Sequence, residues 1–230
     1  MGFLDGKAAI VTGGYSGIGA GIAYALAVEG SDVVIVARDI EKLKSYADEV
    51  NTKLDTMKLH PYAVDLTNAG AATQLFDYAV DMLGKVDIIA NCAGVHFYDS
   101  KTDPDTRQRN NLVNVISKQL LNKYAMEHIK KNGGNIINIS SMAAKNAYPD
   151  QSGYHEDMRQ IAEDTVILRS NGVNAQAIAP GLVDTPLARR DFPDVDWSQV
   201  LTIQEIGDIT VKMLKGEIQD TVHYVQKFEA

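Results

Sequence analysis

Short apolar runs alternate with helical patterns from the first residues of the chain. Ala8–Val11 reads as a buried strand ending in a glycine-rich turn, and Ile18, Ile22, Ala25 and Leu26 then recur at helical spacing through Val28. Val33–Ala37 is rich in β-branched residues and bounded by Gly30 and Asp39, so it predicts a strand covered on both faces. An amphipathic helix over 40–54, a strand over 60–64, a helix over 71–83 and a strand over 86–90 follow. The second half keeps the rhythm: a long helix over about 105–131, a strand over 135–139 after Gly133 and Gly134, a helix over about 154–169, and a strand over 173–179 closed by Pro180 and Gly181. Residues 182–200 hold two prolines and the only tryptophan, and read as an irregular flap over a substrate. A helix over 203–214 and a last strand over 221–225 complete the pattern.

Six or seven strands alternating with helices predict an α/β fold, a Rossmann-type, doubly wound parallel sheet with helices on both faces. No linker, repeat or low-complexity stretch divides the chain, so residues 1–230 are expected to form a single domain. In such sheets ligands bind beyond the carboxyl ends of the strands. Loops 13–19, 38–40, 65–68, 91–98, 140–153 and 180–200 are therefore expected to line one cleft.

Composition narrows the partners. The net charge is −8 and the pI about 5.1, which disfavours a nucleic-acid partner or an anionic membrane surface, both of which need a basic face. The single cysteine, Cys92, excludes an intrachain disulfide and a Cys-only zinc site; no metal site is expected, and a reducing, cytoplasmic compartment is. The first residues do not have the form of a secretory signal, and no long apolar run suggests a membrane span.

The turn Thr12-Gly-Gly-Tyr-Ser-Gly-Ile-Gly19 joins a strand to a helix. Glycines there allow a tight turn and close approach of a pyrophosphate, while the helix start supplies free N–H groups and the positive dipole end. A purely structural turn is the alternative; the strand-turn-helix context favours a dinucleotide. The spacing of Gly13, Gly17 and Gly19 resembles that of the short-chain dehydrogenase/reductase family, and the similarity extends over nearly the whole chain. Asp5-Gly-Lys7, Val64-Asp-Leu-Thr67, Asp87-Ile-Ile-Ala-Asn-Cys-Ala-Gly94, Asn114, Ile136-Ile-Asn-Ile-Ser-Ser141, Tyr154 and Ile178-Ala-Pro-Gly-Leu-Val-Asp-Thr185 match in order.

The resemblance implies a nicotinamide cofactor and a small carbonyl or alcohol substrate. It implies that Gly13, Tyr15, Ser16, Gly17, Ile18 and Gly19 cradle the pyrophosphate, and that Asp65, with Leu66, meets the adenine. Asn91, Ala93 and Gly94 would line the ribose and nicotinamide, and Pro180, Gly181 and Thr185 would hold the carboxamide end. Strand-end and turn hydrogen bonds are the alternative for Asn91 and Thr185. The second strand ends Val36-Ala-Arg-Asp39, with neutral Ala37 at the family's usual acidic position and Arg38 next. This resembles an NADP-type arrangement, in which the guanidinium fork of Arg38 pairs a 2′-phosphate. NADP(H) is thus expected over NAD(H), although Ser16 stands where many NADP enzymes carry a basic residue, and Asp39 is a competing neighbour.

The family's chemistry is hydride transfer coupled to proton transfer. Its tyrosine is the acid/base, its serine binds the substrate oxygen, its lysine lowers the tyrosine pKa and holds the ribose, and its asparagine supports a water leading to the lysine. Ser141 lies 13 residues before Tyr154 and Asn114 lies 27 before Ser141, both spacings of the family. These assign Tyr154, Ser141 and Asn114 as catalytic residues; a packed tyrosine, a loop-capping serine and a helix-kink asparagine are the plainer alternatives. The expected lysine, four residues after the tyrosine, is replaced by Met158. The stretch from Tyr154 to Pro180 is also about one helical turn short of the family's. A gap placed before Tyr154 would instead put Tyr154 at the lysine position, but the Ser141 and Pro149 spacings favour the first alignment.

Arg159, Lys145, His155, His96 and Lys118 are candidate substitute cations, each with an ordinary solvated reading. The helices 105–131 and 154–169 are the expected faces of a homodimer. Leu187, Phe192 and Trp197 in the flap suit a partly apolar substrate. The missing lysine keeps open a nucleotide-binding homologue without turnover, acting as sensor or partner subunit, and a non-redox dehydratase or lyase on the same scaffold.

Overall fold

The computed structural model describes residues 2–227, apart from the side chains of Lys131 and Asn132; Met1 and residues 228–230 of the expected domain lie outside the described residues. Seven parallel strands form one sheet: β1 (Ala8–Thr12), β2 (Asp32–Ala37), β3 (Leu59–Ala63), β4 (Ile88–Asn91), β5 (Asn135–Ile139), β6 (Ala175–Pro180) and β7 (Val222–Val225), in the order β3-β2-β1-β4-β5-β6-β7. The helices are α1 (Gly17–Val28), α2 (Ile40–Leu54), α3 (Ala71–Leu83), α4 (Pro104–Asn111), α5 (Ser117–Asn132), α6 (Ser152–Ser170), α7 (Pro186–Asp191) and α8 (Ile203–Leu214).

Strand side chains alternate between two cores, as their period of two requires. Ala9, Val11, Val33, Ile35, Ile88, Ala90 and Ile137 face one core with Ile22 and Leu26 of α1, Leu43 and Val50 of α2 and Ile206 of α8. Ile10, Val34, Val36, Ile89 and Ile136 face the other, with Leu75 and Phe76 of α3 and Leu121 and Ala125 of α5. With both faces covered, a strand sequence is apolar throughout instead of alternating. The chain runs outward from β1 through β2 to β3, then returns to β4 on the far side of β1. This reversal opens a crevice at the carboxyl ends of β1 and β4. Thr12 Oγ1 accepts the N–H groups of Cys92 and Ala93, each at 3.0 Å, and ties the two strand ends together.

The long helix expected over 105–131 is present with a change of hydrogen bonding midway: α4 ends at Asn111, a π turn spans Leu112–Ile116, and α5 follows, the junction residues staying right-handed helical. A π turn inserts one residue without altering hydropathy, so the pattern carries no trace of it. One sequence expectation is corrected in the flap. The flap over 182–200 is not irregular. Thr185 caps α7 by accepting the Ala188 N–H at 3.1 Å, a 3₁₀ turn covers Trp197–Gln199, and Val183 bridges Leu201.

Helices α1 and α8 cross at backbone contact. A Cβ on Gly21 would stand 2.2 Å from the Ile203 carbonyl oxygen, and one on Gly207 would stand 2.7 Å from that of Gly21. Gly21→Val is expected to destabilise the fold by about 1–3 kcal/mol or more through overpacking, read as a lower urea midpoint.

Candidate active site

The glycine turn is built for close approach. Gly13 and Gly17 have φ of +66° and +53°, and a Cβ on Gly19 would meet the Gly13 carbonyl oxygen at 2.3 Å. Ser16 occupies the N-cap of α1 without a side-chain cap, so the first-turn N–H groups lack a side-chain acceptor. This cradle fits a pyrophosphate. At the end of β3, Asp65 Oδ1 accepts from the N–H and the hydroxyl of Thr67 at 3.0 and 2.7 Å, leaving Oδ2 open. Those two bonds, opposed by partial burial and aided by Arg38 and Arg109, hold the Asp65 carboxyl below the usual range. Arg38 is exposed at the end of β2. Asp39 spends its carboxylate elsewhere, accepting the N–H groups of Glu41 and Lys42 as the cap of α2. The sequence did not mark Arg109 as a second basic neighbour of Asp65.

Beyond β4, β5 and β6 lies a cavity of about 380 Å³, within the usual range for small ligands. Of the residues expected at the site, Ile18, Gly94, Asn114, Ser141, Tyr154, Pro180, Gly181 and Thr185 line it. Gly13, Tyr15, Ser16, Gly17, Gly19, Arg38, Asp65, Leu66 and Ala93 lie outside its walls. Asn91 sits beneath in the core, where its amide donates to Asn122 and Asn138 at 2.8 and 2.9 Å while its own oxygen has no partner.

Ser141 and Tyr154 both line the cavity, and the Ser141 hydroxyl is near enough to lower the Tyr154 phenol. Ser141 also accepts the Ala143 N–H at 3.1 Å, so it caps its turn as well. Burial pushes the Tyr154 phenol up to about 12; the Ser141 hydroxyl pulls it down, while the carboxylates of Asp157 and Asp191 push it further up.

Asp157, which sequence reasoning missed, organises this half of the site. It is fully buried. It accepts from Arg107 at 3.2 and 2.9 Å, Asn111 at 2.9 Å and Asn114 at 3.0 Å. Asn114, in the π turn, also exchanges two bonds with the Val95 backbone, at 2.8 and 3.0 Å. Thus α4, the π turn and the loop after β4 are fastened to α6 three residues from Tyr154. Nothing in the local pattern pairs residues fifty positions apart.

A second unforeseen arrangement faces the substrate end. His96 Nδ1 lies 2.8 Å from Asp191 Oδ2, its ring meets that of Tyr154 edge-on at 4.9 Å, and its buried Nε2 has no partner. Burial would raise the Asp191 carboxyl, but bonds from Arg190 and His96 outweigh it and hold it low.

The other candidate cations separate cleanly. Arg159 is exposed and paired with Glu163. Lys145 lies over the Tyr224 ring, and His155 is bonded to the Ala143 carbonyl. Met158 is 3% exposed and packs with Ala143, Ala144 and Ala162. Of the flap residues, Leu187 and Phe192 line the cavity, whereas Trp197 stacks under Arg189 at 4.8 Å.

Comparison with known proteins places the chain in a family. The model of the short chain dehydrogenase family matches residues 7–196. D-β-hydroxybutyrate dehydrogenase of Rhizobium meliloti is 31% identical over 219 residues, covering 92% of this chain and 84% of that protein. An uncharacterized oxidoreductase of Staphylococcus haemolyticus is 29% identical, with 92% of each chain covered. Among solved structures, an alcohol dehydrogenase from Thermococcus sibiricus complexed with 5-hydroxy-NADP superimposes with a TM-score of 0.87 at 21% identity, over 96% of both chains. A 3-ketoacyl-(acyl-carrier-protein) reductase from Brucella melitensis complexed with NADH gives 0.84 at 23% identity, over 97% of this chain and 98% of that one. The chain belongs to the short-chain dehydrogenase/reductase family and is an oxidoreductase of that family.

Arg107→Met would leave the Asp157 carboxylate buried without its cation. It is expected to lower stability by about 3 kcal/mol, the low end for a broken buried pair because Arg107 itself is partly exposed. Chemical denaturation against wild type reads the loss.

Proposed function

We propose that this protein is an NADP(H)-dependent oxidoreductase that interconverts a carbonyl and an alcohol on a small, partly apolar substrate. The observation that carries the reading is that Ser141 and Tyr154 line the wall of one cavity, at the crevice end that also holds the glycine cradle. A bound nicotinamide supplies or takes the hydride. The protein's own groups handle the oxygen and the proton. Ser141 and Tyr154 hydroxyls hydrogen-bond the substrate oxygen, and Tyr154 gives it a proton in reduction or removes one in oxidation. Asn114 and Asp157 keep α6 and the π turn in register, and the apolar side chains of Leu187 and Phe192 exclude water. His96 Nε2 offers one polar contact beyond the reacting oxygen, which suits a substrate with a second polar group; a relative acts on D-β-hydroxybutyrate by its name.

NADP(H) is favoured because Arg38 is exposed at the end of β2 and Asp39 is withdrawn into the cap of α2. Arg109 adds a second positive charge near Asp65. For oligomerisation, Ile116 and Leu120 around the start of α5 and Val166 and Ile167 on α6 are exposed, which supports a homodimer through these helices. The acidic composition supports a small-molecule substrate without nucleic acid, and the single cysteine supports a reducing, cytoplasmic compartment. The apolar packing of Met158 favours a second reading, a nucleotide-binding homologue without turnover.

Titration with NADPH and NADH, followed by cofactor fluorescence, tests the cofactor. NADPH is expected to bind more tightly, and Arg38→Ser to weaken NADPH by roughly tenfold or more while sparing NADH. Preference for NADH would overturn the role of Arg38.

Tyr154→Phe is expected to abolish carbonyl reduction in a substrate panel while leaving nucleotide binding intact; wild type that binds but never turns over selects the second reading. The pH sign follows from the raised phenol. Reduction starts from protonated Tyr154, which is present throughout neutral pH, whereas oxidation needs the proton gone. Oxidation is therefore expected to accelerate steadily from pH 7 toward alkaline pH in initial-rate assays, with no matching alkaline gain in reduction.

A further inference from the structure

Lys118 stands on α5, one turn beyond Asn114, and is 2% exposed. Its ammonium donates to the Ile139 carbonyl at 2.7 Å, and both residues line the cavity. An ammonium carries three N–H donors. Lys118 makes no other hydrogen bond and no ion pair among the described residues, so two donors are left over in the wall of the cavity. Burial of an ammonium is costly unless its donors are matched. Here an apolar side chain like that of nearby Met158 would fill the same wall without that cost, so the charge points to an acceptor that arrives with a ligand.

The lie of the site says which part of the ligand. Arg38 and Asp65 stand at the ends of β2 and β3, the glycine cradle at the end of β1, and the cavity beyond β4 to β6. A dinucleotide laid across them puts its nicotinamide-riboside half in the cavity. We propose that Lys118 is a cofactor-binding residue that donates from the cavity wall to the hydroxyl or carboxamide oxygens of the nicotinamide-riboside half, so that α5 supplies the buried cation that Met158 leaves missing on α6. This rests on the nucleotide reading above. Lys118 is placed at the cofactor and not at the phenol: the charges that act on Tyr154 are the carboxylates of Asp157 and Asp191.

Burial pulls the Lys118 ammonium down to about 8, opposed by Cys92 and Asp157. These are the titratable groups facing it, Cys92 from the end of β4 and Asp157 from α6, with the Ile139 carbonyl from β5. Burial raises the Cys92 thiol to about 12, and Asp157 is matched by Arg107, Asn111 and Asn114. A ligand that accepts from the ammonium raises its pKa in the complex. The added affinity is then complete below the free value and lost as pH rises through and beyond it.

Calorimetric titration of purified protein tests this. Wild type and Lys118→Met are each titrated with NADPH, NADH, 2′,5′-ADP and 5′-ADP, the last two probing only the adenosine half. The expected result is unchanged affinity for the adenosine-half ligands and affinity for the whole cofactor lower by about tenfold or more. Unchanged affinity for the whole cofactor overturns the proposal while leaving the nucleotide reading intact. Wild type that binds none of the four overturns both. Should Lys118→Met lose all four ligands together, wild type decides: a ratio of NADPH to 2′,5′-ADP affinity that falls between pH 7 and 9 supports the role, and a flat ratio overturns it.

Discussion

The half of the molecule around the cavity hangs on one buried carboxylate. Asp157 draws the guanidinium of Arg107 from α4, the amide of Asn111 at its end and the amide of Asn114 from the π turn onto α6. A buried charge demands this many partners, because few places in a folded chain are as costly for an unmatched carboxylate. That demand fixes the neighbours. Helix α6 cannot shift along the sheet without stranding Asp157, and Tyr154 rides one turn away on the same helix. Asn114 passes the constraint on to the loop after β4 through Val95, so the cavity wall and the tyrosine share one anchor.

The nucleotide half is held differently, by close backbone approach. Glycines at 13, 17 and 19 bring the turn against Ala93 and Thr185, and Thr12 ties the ends of β1 and β4. The reversal of strand order leaves the crevice, and backbone hydrogen bonding at its lip decides its width. Thus the first half of the site is shaped by the absence of side chains and the second by a network of charged and amide groups.

Charge placement in the cavity joins the two. Around Tyr154 the carboxylates of Asp157 and Asp191 both disfavour a phenolate. His96 and Arg190 offset Asp191, while Arg107 offsets Asp157. Burial first, and then these two carboxylates, hold the Tyr154 phenol protonated. Lys118 stands in the cavity wall with one hydrogen bond, to the Ile139 carbonyl, among the described residues. Substituting methionine on α6 and carrying lysine on α5 alters where the site is positive without altering the fold.

The alternation of apolar runs and helical patterns determined the sheet, its parallel sense and its single domain, because burial on both faces writes itself into each strand and each helix locally. The glycine spacing pointed to the nucleotide turn because a turn is a short-range feature, whereas Asn114, Ser141 and Tyr154 were pointed to only by the family resemblance. What the tertiary structure decided is whatever depends on residues far apart in the chain meeting. The π turn leaves hydropathy unchanged, and Asp157 looks like any polar helix residue until Arg107 is beside it. Lys118 and Arg159 are equivalent as letters on a helix. Only folding buries the first in the cavity wall with unspent donors and leaves the second paired with Glu163 in water, because burial is a property of the packed assembly and not of the segment.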